Sequence, residues 1–125
     1  MASDRRSFPR YPVQCPVIVT LPDDPNATFN VKSNSLSRTS IQIECSQDLI
    51  TALLRQQGLP YKCHLEFALP WHKHRYSVDA SVVTHRRLSQ QDYVLVLLLR
   101  HDDSAQEEML EQQLAGQSTT IGLDE

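Results

Sequence analysis

The sequence predicts a mainly β fold: a six-stranded antiparallel β-barrel with a short helix after strand 3 and a C-terminal helix. Three observations carry that expectation. Five segments alternate apolar and polar residues with a period of two, the pattern of a strand buried on one face, and a sixth is an almost continuous apolar run. Only two stretches, after the third and the sixth of these segments, combine helical spacing with start and stop signals. The chain has 125 residues, enough for one core and too few for two. Closing a sheet of short strands removes its exposed edges, which favours a barrel; an open sandwich is the alternative.

The first strand is predicted over Val13 to Leu21, where Val13, Cys15, Val17, Val19 and Leu21 alternate with polar positions. Pro16 falls on its other face and marks an edge position or a bulge, since proline offers no N–H. Leu21 to Asn26 reads as a turn, rich in proline and aspartate. The second strand, Ala27 to Ser33, presents Phe29 and Val31, and the polar run Ser33 to Ser40 reads as a loop. Ile41, Ile43 and Cys45 mark the third strand. Asp48 to Gln57 is expected as a helix with Leu49, Ile50, Leu53 and Leu54 on one side, Ser46 as cap, and Gly58 with Pro60 as stop.

Tyr61 to Leu69 gives the fourth strand, and Pro70 to His74 a solvated hairpin connection. Tyr76, Val78, Ala80 and Val82 mark the fifth strand, running toward the polar end His85-Arg86-Arg87. Tyr93 to Leu99 is almost continuously apolar and predicts a sixth strand covered on both faces. Ser104 to Glu107 reads as a capping box opening a helix, with Met109, Leu110 and Leu114 on one face and Gly116 as its end. The expected organisation is a segment 1–12, a barrel domain 13–116 and a disordered tail 117–125.

Composition narrows the function classes. The net charge of −3 conceals a polarity: residues 1–10 carry +2, residues 102–125 carry −7, and the middle carries +2. No extended basic surface serves sequence-blind binding of a nucleic acid polymer, and the aromatics fall on core faces rather than on basic strands. No apolar run reaches the roughly 18 residues of a membrane span, and no apolar stretch follows the N-terminal charges to make a secretory signal. Cys15, Cys45 and Cys63 lie far apart on apolar strand faces, which reads as buried, reduced thiols in a cytoplasmic protein. Five histidines supply no third ligand at a telling interval beside His72 and His74, so no metal site is predicted. Nor do acid–base or nucleophilic groups converge, so a binding protein is expected rather than an enzyme.

Two features remain. Arg5-Arg6-Ser7-Phe8-Pro9-Arg10 gathers three arginines in six residues. The guanidinium fork is permanently charged and matches phosphate oxygens and the O6/N7 edge of guanine. By itself the cluster reads more readily as a solvated terminus. The serine-rich stretch Ser35-Leu36-Ser37-Arg38-Thr39-Ser40 follows with 24 residues between Arg10 and Ser35, and one hairpin between them brings the two together. Charged forks with short hydroxyl donors are a common phosphate-binding combination, although serine turns also cap their own backbone.

Together these residues resemble the PilZ domain, the bacterial receptor for cyclic di-GMP, marked by RRxxxR and a later (D/N)xSxxG. The arginine half is complete. In the second half Ser37 matches the motif serine, while Ser35 stands in place of Asp or Asn and Ser40 in place of Gly. Matching Asn34 to the Asp/Asn position instead would misplace Ser37. The resemblance implies the six-stranded barrel with its two helices, no cofactor, and cyclic di-GMP as ligand. It assigns Arg5, Arg6 and Arg10 to phosphates and guanine edges, with Ser35, Ser37 and Ser40 beside them. Serine accepts guanine N–H groups more weakly than a carboxylate, and a side chain at Ser40 is expected to disfavour a positive φ by about 1 kcal/mol. A loss of about 1–3 kcal/mol weakens binding by roughly ten- to a hundredfold.

The resemblance implies a bacterial second-messenger adaptor, a monomer or weak dimer acting on an unidentified downstream protein. Ligand would order residues 1–10 across the barrel mouth, along a path set by Phe8, Pro9, Tyr11 and Pro12. The alternative is a module of the same fold that acts through protein contacts without the nucleotide.

Overall fold

The structure of the protein, a computed structural model, describes residues 9–124. Its elements are β1 (Pro16–Leu21), β2 (Asp24–Leu36), β3 (Ser40–Ser46), α1 (Gln47–Leu54), β4 (Lys62–Ala68), β5 (Arg75–Arg87), β6 (Asp92–Arg100) and α2 (Ser104–Asp124). The strands close in the order β1-β2-β3-β6-β5-β4, every neighbour antiparallel.

The period-two pattern dictates the core. Val17 and Val19 on β1 face Val31 and Phe29 on one side and Phe67 and Leu65 on the other. Ile41, Ile43, Leu95 and Leu97 complete the interior, all essentially inaccessible. Phe67 and Tyr76 stack with ring centroids 5.3 Å apart. Each such side chain contributes about 1.5–3 kcal/mol by leaving water. Pro16 opens β1, where β2 pairs with it and β4 does not yet, so its missing N–H leaves no broken rung.

Several boundaries move. Val13 and Cys15 are buried as expected but precede β1. β2 extends from Asp24 to Leu36, absorbing much of the predicted turn and half of the predicted serine loop. Ser33 follows Phe29 and Val31 on the core face, and the register shift between Ser33 and Ser35 then changes the phase, leaving Ser35 on the outer face opposite Gln42 and turning Leu36 inward opposite Ile41. Buried Ser33 is satisfied: its hydroxyl donates to Val13 O at 2.7 Å and accepts from Cys15 N–H at 3.1 Å. β6 is covered on its outer side only in part. Val94 is buried there, but Leu98 is 42% exposed.

One end of the barrel collects the turn after β2, the β4–β5 connection, the residues leading into β1, and α2. The other collects the β1–β2 turn, the β5–β6 turn, and α1. α1 seats Leu49, Ile50 and Leu53 in the barrel, while Leu54, its last residue, is exposed rather than packed. Ser46 holds the N-cap position without a side-chain cap bond, and Gln47 N–H instead donates to Gln91 O at 3.0 Å. Gly58 carries the chain away with φ +85°, a conformation that suits glycine.

α2 closes the opposite end with buried Leu110 and Leu114. Asp103 caps it, accepting Ala105 N–H at 2.9 Å, in place of the predicted Ser104–Glu107 box. The helix passes Gly116, its expected end, and reaches Asp124; glycine costs a helix only about 1 kcal/mol. The β4–β5 connection is no solvated tip. His72 and His74 are half-buried around Tyr76, with His74 edge-on to its ring at 4.6 Å.

Candidate functional site

The turn linking β2 to β3 is built by Ser37. Its backbone N–H donates to Ser40 O at 2.8 Å. Its hydroxyl accepts from Thr39 N–H at 3.2 Å and Ser40 N–H at 3.0 Å, and lies 2.9 Å from the Ser40 hydroxyl. The side chain is 2% exposed. A short hydroxyl near the start of a tight turn replaces backbone partners that the strands no longer supply.

Arg10 reaches this turn through its neighbour. Tyr11 exchanges two backbone hydrogen bonds with Leu36, at 2.8 and 2.9 Å, which lays the incoming chain beside the end of β2. The Arg10 guanidinium then donates to the Ser40 hydroxyl. Arg10, Ser37 and Ser40 therefore form one hydrogen-bonded group, although 30 residues separate Arg10 from Ser40. Ser35 lies two residues up β2, half-buried on the outer face beside them. Arg5, Arg6 and Phe8 lie outside the described residues. Ser40 does not adopt the left-handed backbone anticipated for its position: no non-glycine residue among those described has a positive φ. The expected strain is absent. Asn34, the frame-shifted alternative, turns its amide to Glu44 at 3.2 Å.

The structure adds residues that the sequence did not nominate. Arg38 Nε donates to Glu107 of α2 at 2.8 Å, each side chain about one quarter exposed. His101 Nε2–H donates to Arg38 O at 3.0 Å, and Leu99 N–H donates to Thr39 O at 2.8 Å. The turn is thus tied to the end of β6 and to the first turn of α2. Glu107 had read as the return half of a capping box, and Arg38 as an unspecified motif position. They stand 69 positions apart in the chain, so no local spacing reveals the pair. Nearby, the Tyr11 phenol is pushed above its ordinary pKa, first by burial and then by the charge of Glu111.

Other candidates fall elsewhere. Arg86 and Arg87 stand at the far end of the barrel, where Arg87 lies over the Tyr93 ring at 5.8 Å. His64 fastens β4 to β5 on the solvent face, with Nδ1 donating to Asp79 at 2.8 Å and Nε2 meeting the Ser77 hydroxyl at 2.7 Å. No group of three His, Cys, Asp or Glu among the described residues is placed to hold a metal. No described helix is long and apolar enough to cross a membrane.

Chemically, the turn offers a guanidinium with several donors, two hydroxyls and an outward-facing strand serine on one surface. That set suits an anion with hydrogen-bonding edges.

No protein-family profile matches the sequence, and no curated protein matches it. Solved structures do match. MrkH of K. pneumonia in complex with c-di-GMP aligns at TM-score 0.77 and 10% identity, over 97% of this chain and 56% of that one. The Bacillus subtilis inhibitor of motility aligns at TM-score 0.71 and 15% identity, over 93% of this chain and 52% of that one. The PilZ domain of YcgR from Escherichia coli, with c-di-GMP, aligns at TM-score 0.64 and 13% identity, over 97% and 98%. The chain spans about half the length of the first two. At these identities the likeness establishes the fold, which is PilZ-like.

Proposed function

We propose that this chain is a bacterial PilZ-type receptor for cyclic di-GMP, whose ligand orders the N-terminal arginine segment and so changes a surface read by a downstream protein. One observation supports it most: Arg10, from the arginine half of the motif, hydrogen-bonds Ser40 and through it joins Ser37, both from the serine half. In this reading Arg5, Arg6 and Arg10 take the phosphates and guanine edges, and Ser35 and Ser37 position them. Three of the matching folds were solved with c-di-GMP, which makes that nucleotide the first ligand to test.

Mechanistically, Ser40 engages the Arg10 guanidinium, whose planar fork carries five N–H donors and can bridge an oxyanion and a hydroxyl together. A doubly anionic dinucleotide offsets the repulsion among the arginines and draws residues 1–10 across the turn. The turn is in turn fastened to α2 through Arg38 and Glu107.

A second reading, a protein-interaction module without nucleotide, draws on one observation. The Ser37 hydroxyl already serves its own turn, and Ser35 offers no carboxylate or amide to a guanine. Titration calorimetry with cyclic di-GMP separates the two. Receptor behaviour is saturable heat in the parent chain, lost in Arg6→Ala and reduced in Arg10→Ala, with amide exchange slowed across residues 1–12. No heat and no thermal shift at millimolar nucleotide would leave the interaction module.

A further inference from the structure

At the α1 end lies a cleft of about 500 Å³, far from the serine turn. It exists because β2 and β3 part company. β2 pairs with β1 from Lys32 back to Thr28, but its ladder with β3 stops at the Lys32–Glu44 rung. β3 then runs directly into α1. Thr28 to Val31 are therefore paired on one side only, a four-residue open edge; the end of β5, Thr84 to Arg87, likewise pairs with β6 alone but does not border this cleft. In a strand so placed, alternate backbone N–H and C=O groups face outward without a rung.

The cleft beside this edge has a consistent chemistry. Phe29, Val31, Cys45 and Leu49 give it an apolar floor, with Phe29 and Val31 only half-buried. Its rim carries three carboxylates, Glu44, Asp48 and Asp92, against one lysine, Lys32. Lys32 stands directly across the ladder from Glu44, which leaves Asp48 and Asp92 to set the sign of the field. Buried Cys45 registers that field: its thiol is pushed up to about 11, by burial first and by the charge of Asp92 second.

We infer that this cleft is a docking groove for an extended, basic segment of a partner protein, added as a short strand along Thr28–Val31. An added strand supplies the missing backbone rungs, and its alternating side chains meet two different surfaces. Apolar residues settle on the floor between Phe29 and Leu49. Lysine or arginine at the intervening positions faces Asp48 and Asp92. Acidic segments and nucleic acid phosphates are repelled by the same rim. The inference is independent of nucleotide binding at the serine turn.

The probe is a labelled, N-acetylated hexapeptide of alternating valine and lysine, compared with one of alternating valine and glutamate, added to the full chain. Fluorescence polarisation is expected to show the lysine peptide binding at least about tenfold tighter, a preference that weakens with salt. Asp48→Lys, on the exposed first turn of α1, is expected to abolish that preference while leaving the melting temperature unchanged. Bound peptide should slow amide exchange at Thr28–Val31. Equal affinity for the two peptides overturns the inference, as does unaltered binding by Asp48→Lys, or exchange protection confined to other strands. Sedimentation showing self-association that protects Thr28–Val31 would assign the groove to a second copy and overturn it equally.

Discussion

The two ends of this barrel are closed by helices of similar duty and opposite surroundings. At the α2 end, Leu110 and Leu114 fill the opening, but polar pairs hold the helix in place: Glu107 with Arg38, Gln113 with Trp71 at 3.1 Å, and Gln106 with His74 at 3.3 Å. At the α1 end, Leu49, Ile50 and Leu53 do most of the work, with Gln47 accepting from the Tyr93 hydroxyl at 2.8 Å. The first end concentrates guanidinium and hydroxyl groups in a turn braced by its helix. The second leaves an open edge with an apolar floor and an acidic rim. One small sheet can therefore present two surfaces of opposite chemical taste, because antiparallel strands deliver their termini to both ends.

The sharpest test of equivalence between the ends is truncation of their plugs. Leu110→Ala and Leu49→Ala are each expected to lower unfolding free energy by about 2–5 kcal/mol, since both are fully buried. Urea denaturation measures this; a loss under 1 kcal/mol for Leu110→Ala alone would make α2 a peripheral attachment.

Alkaline titration reads the α1 end, where Cys45 and Cys63 lie. Burial lifts the folded-state pKa to about 11 for Cys45 and about 12 for Cys63, from an ordinary 9.0, with smaller additions from Asp92 and Asp79. Below pH 9 both thiols are neutral in either state, and their contribution to stability is complete. As pH rises from 9 toward 12 the unfolded chain releases these protons first, so stability falls. Cys63→Ala should flatten that slope in melts followed across this range. A slope identical to the parent's would remove the thiol as its source.

A smaller effect tests the polar bracing near the other end. Ser33→Ala leaves the buried Cys15 N–H without its side-chain acceptor and Val13 O without its donor, at about 1–3 kcal/mol. Retained stability with a newly bound water would show that the site can be rescued by solvent. Smallest of all is the Arg38–Glu107 pair. Being partly exposed, it should show a coupling of only about 0.5–1 kcal/mol in a double-mutant cycle, declining with salt. Coupling near zero would mean that α2 is positioned by its leucines alone.

Much of this was legible beforehand. Alternation located five strands, because each has one face in a single core, and an unbroken apolar run located the sixth. The stop near Gly58 and the start near Ser104 were equally plain from capping chemistry. The serine stretch was misread as a loop because polar residues at Ser33 and Ser35 broke the apolar count. Alternation after Val31 points Ser33 inward, where it satisfies backbone atoms of the incoming segment, and a bulge beyond it shifts the phase so that Leu36 enters the core. His72 and His74 were misjudged for a related reason: a polar connection gives no hint that a distant helix will settle over it.

What the linear order of residues determined by itself was the strand count, the two helices and the identity of the core, since these follow from local periodicity and from the need to bury apolar side chains. It also placed Arg10 and Ser37 in one motif. Only the closed sheet decided that Arg10 would touch Ser40, that Arg38 would take Glu107, and that Thr28–Val31 would lack a second neighbouring strand. Contacts of that kind depend on register and on where strands end, and register is fixed by many weak pairings acting at once rather than by any one segment.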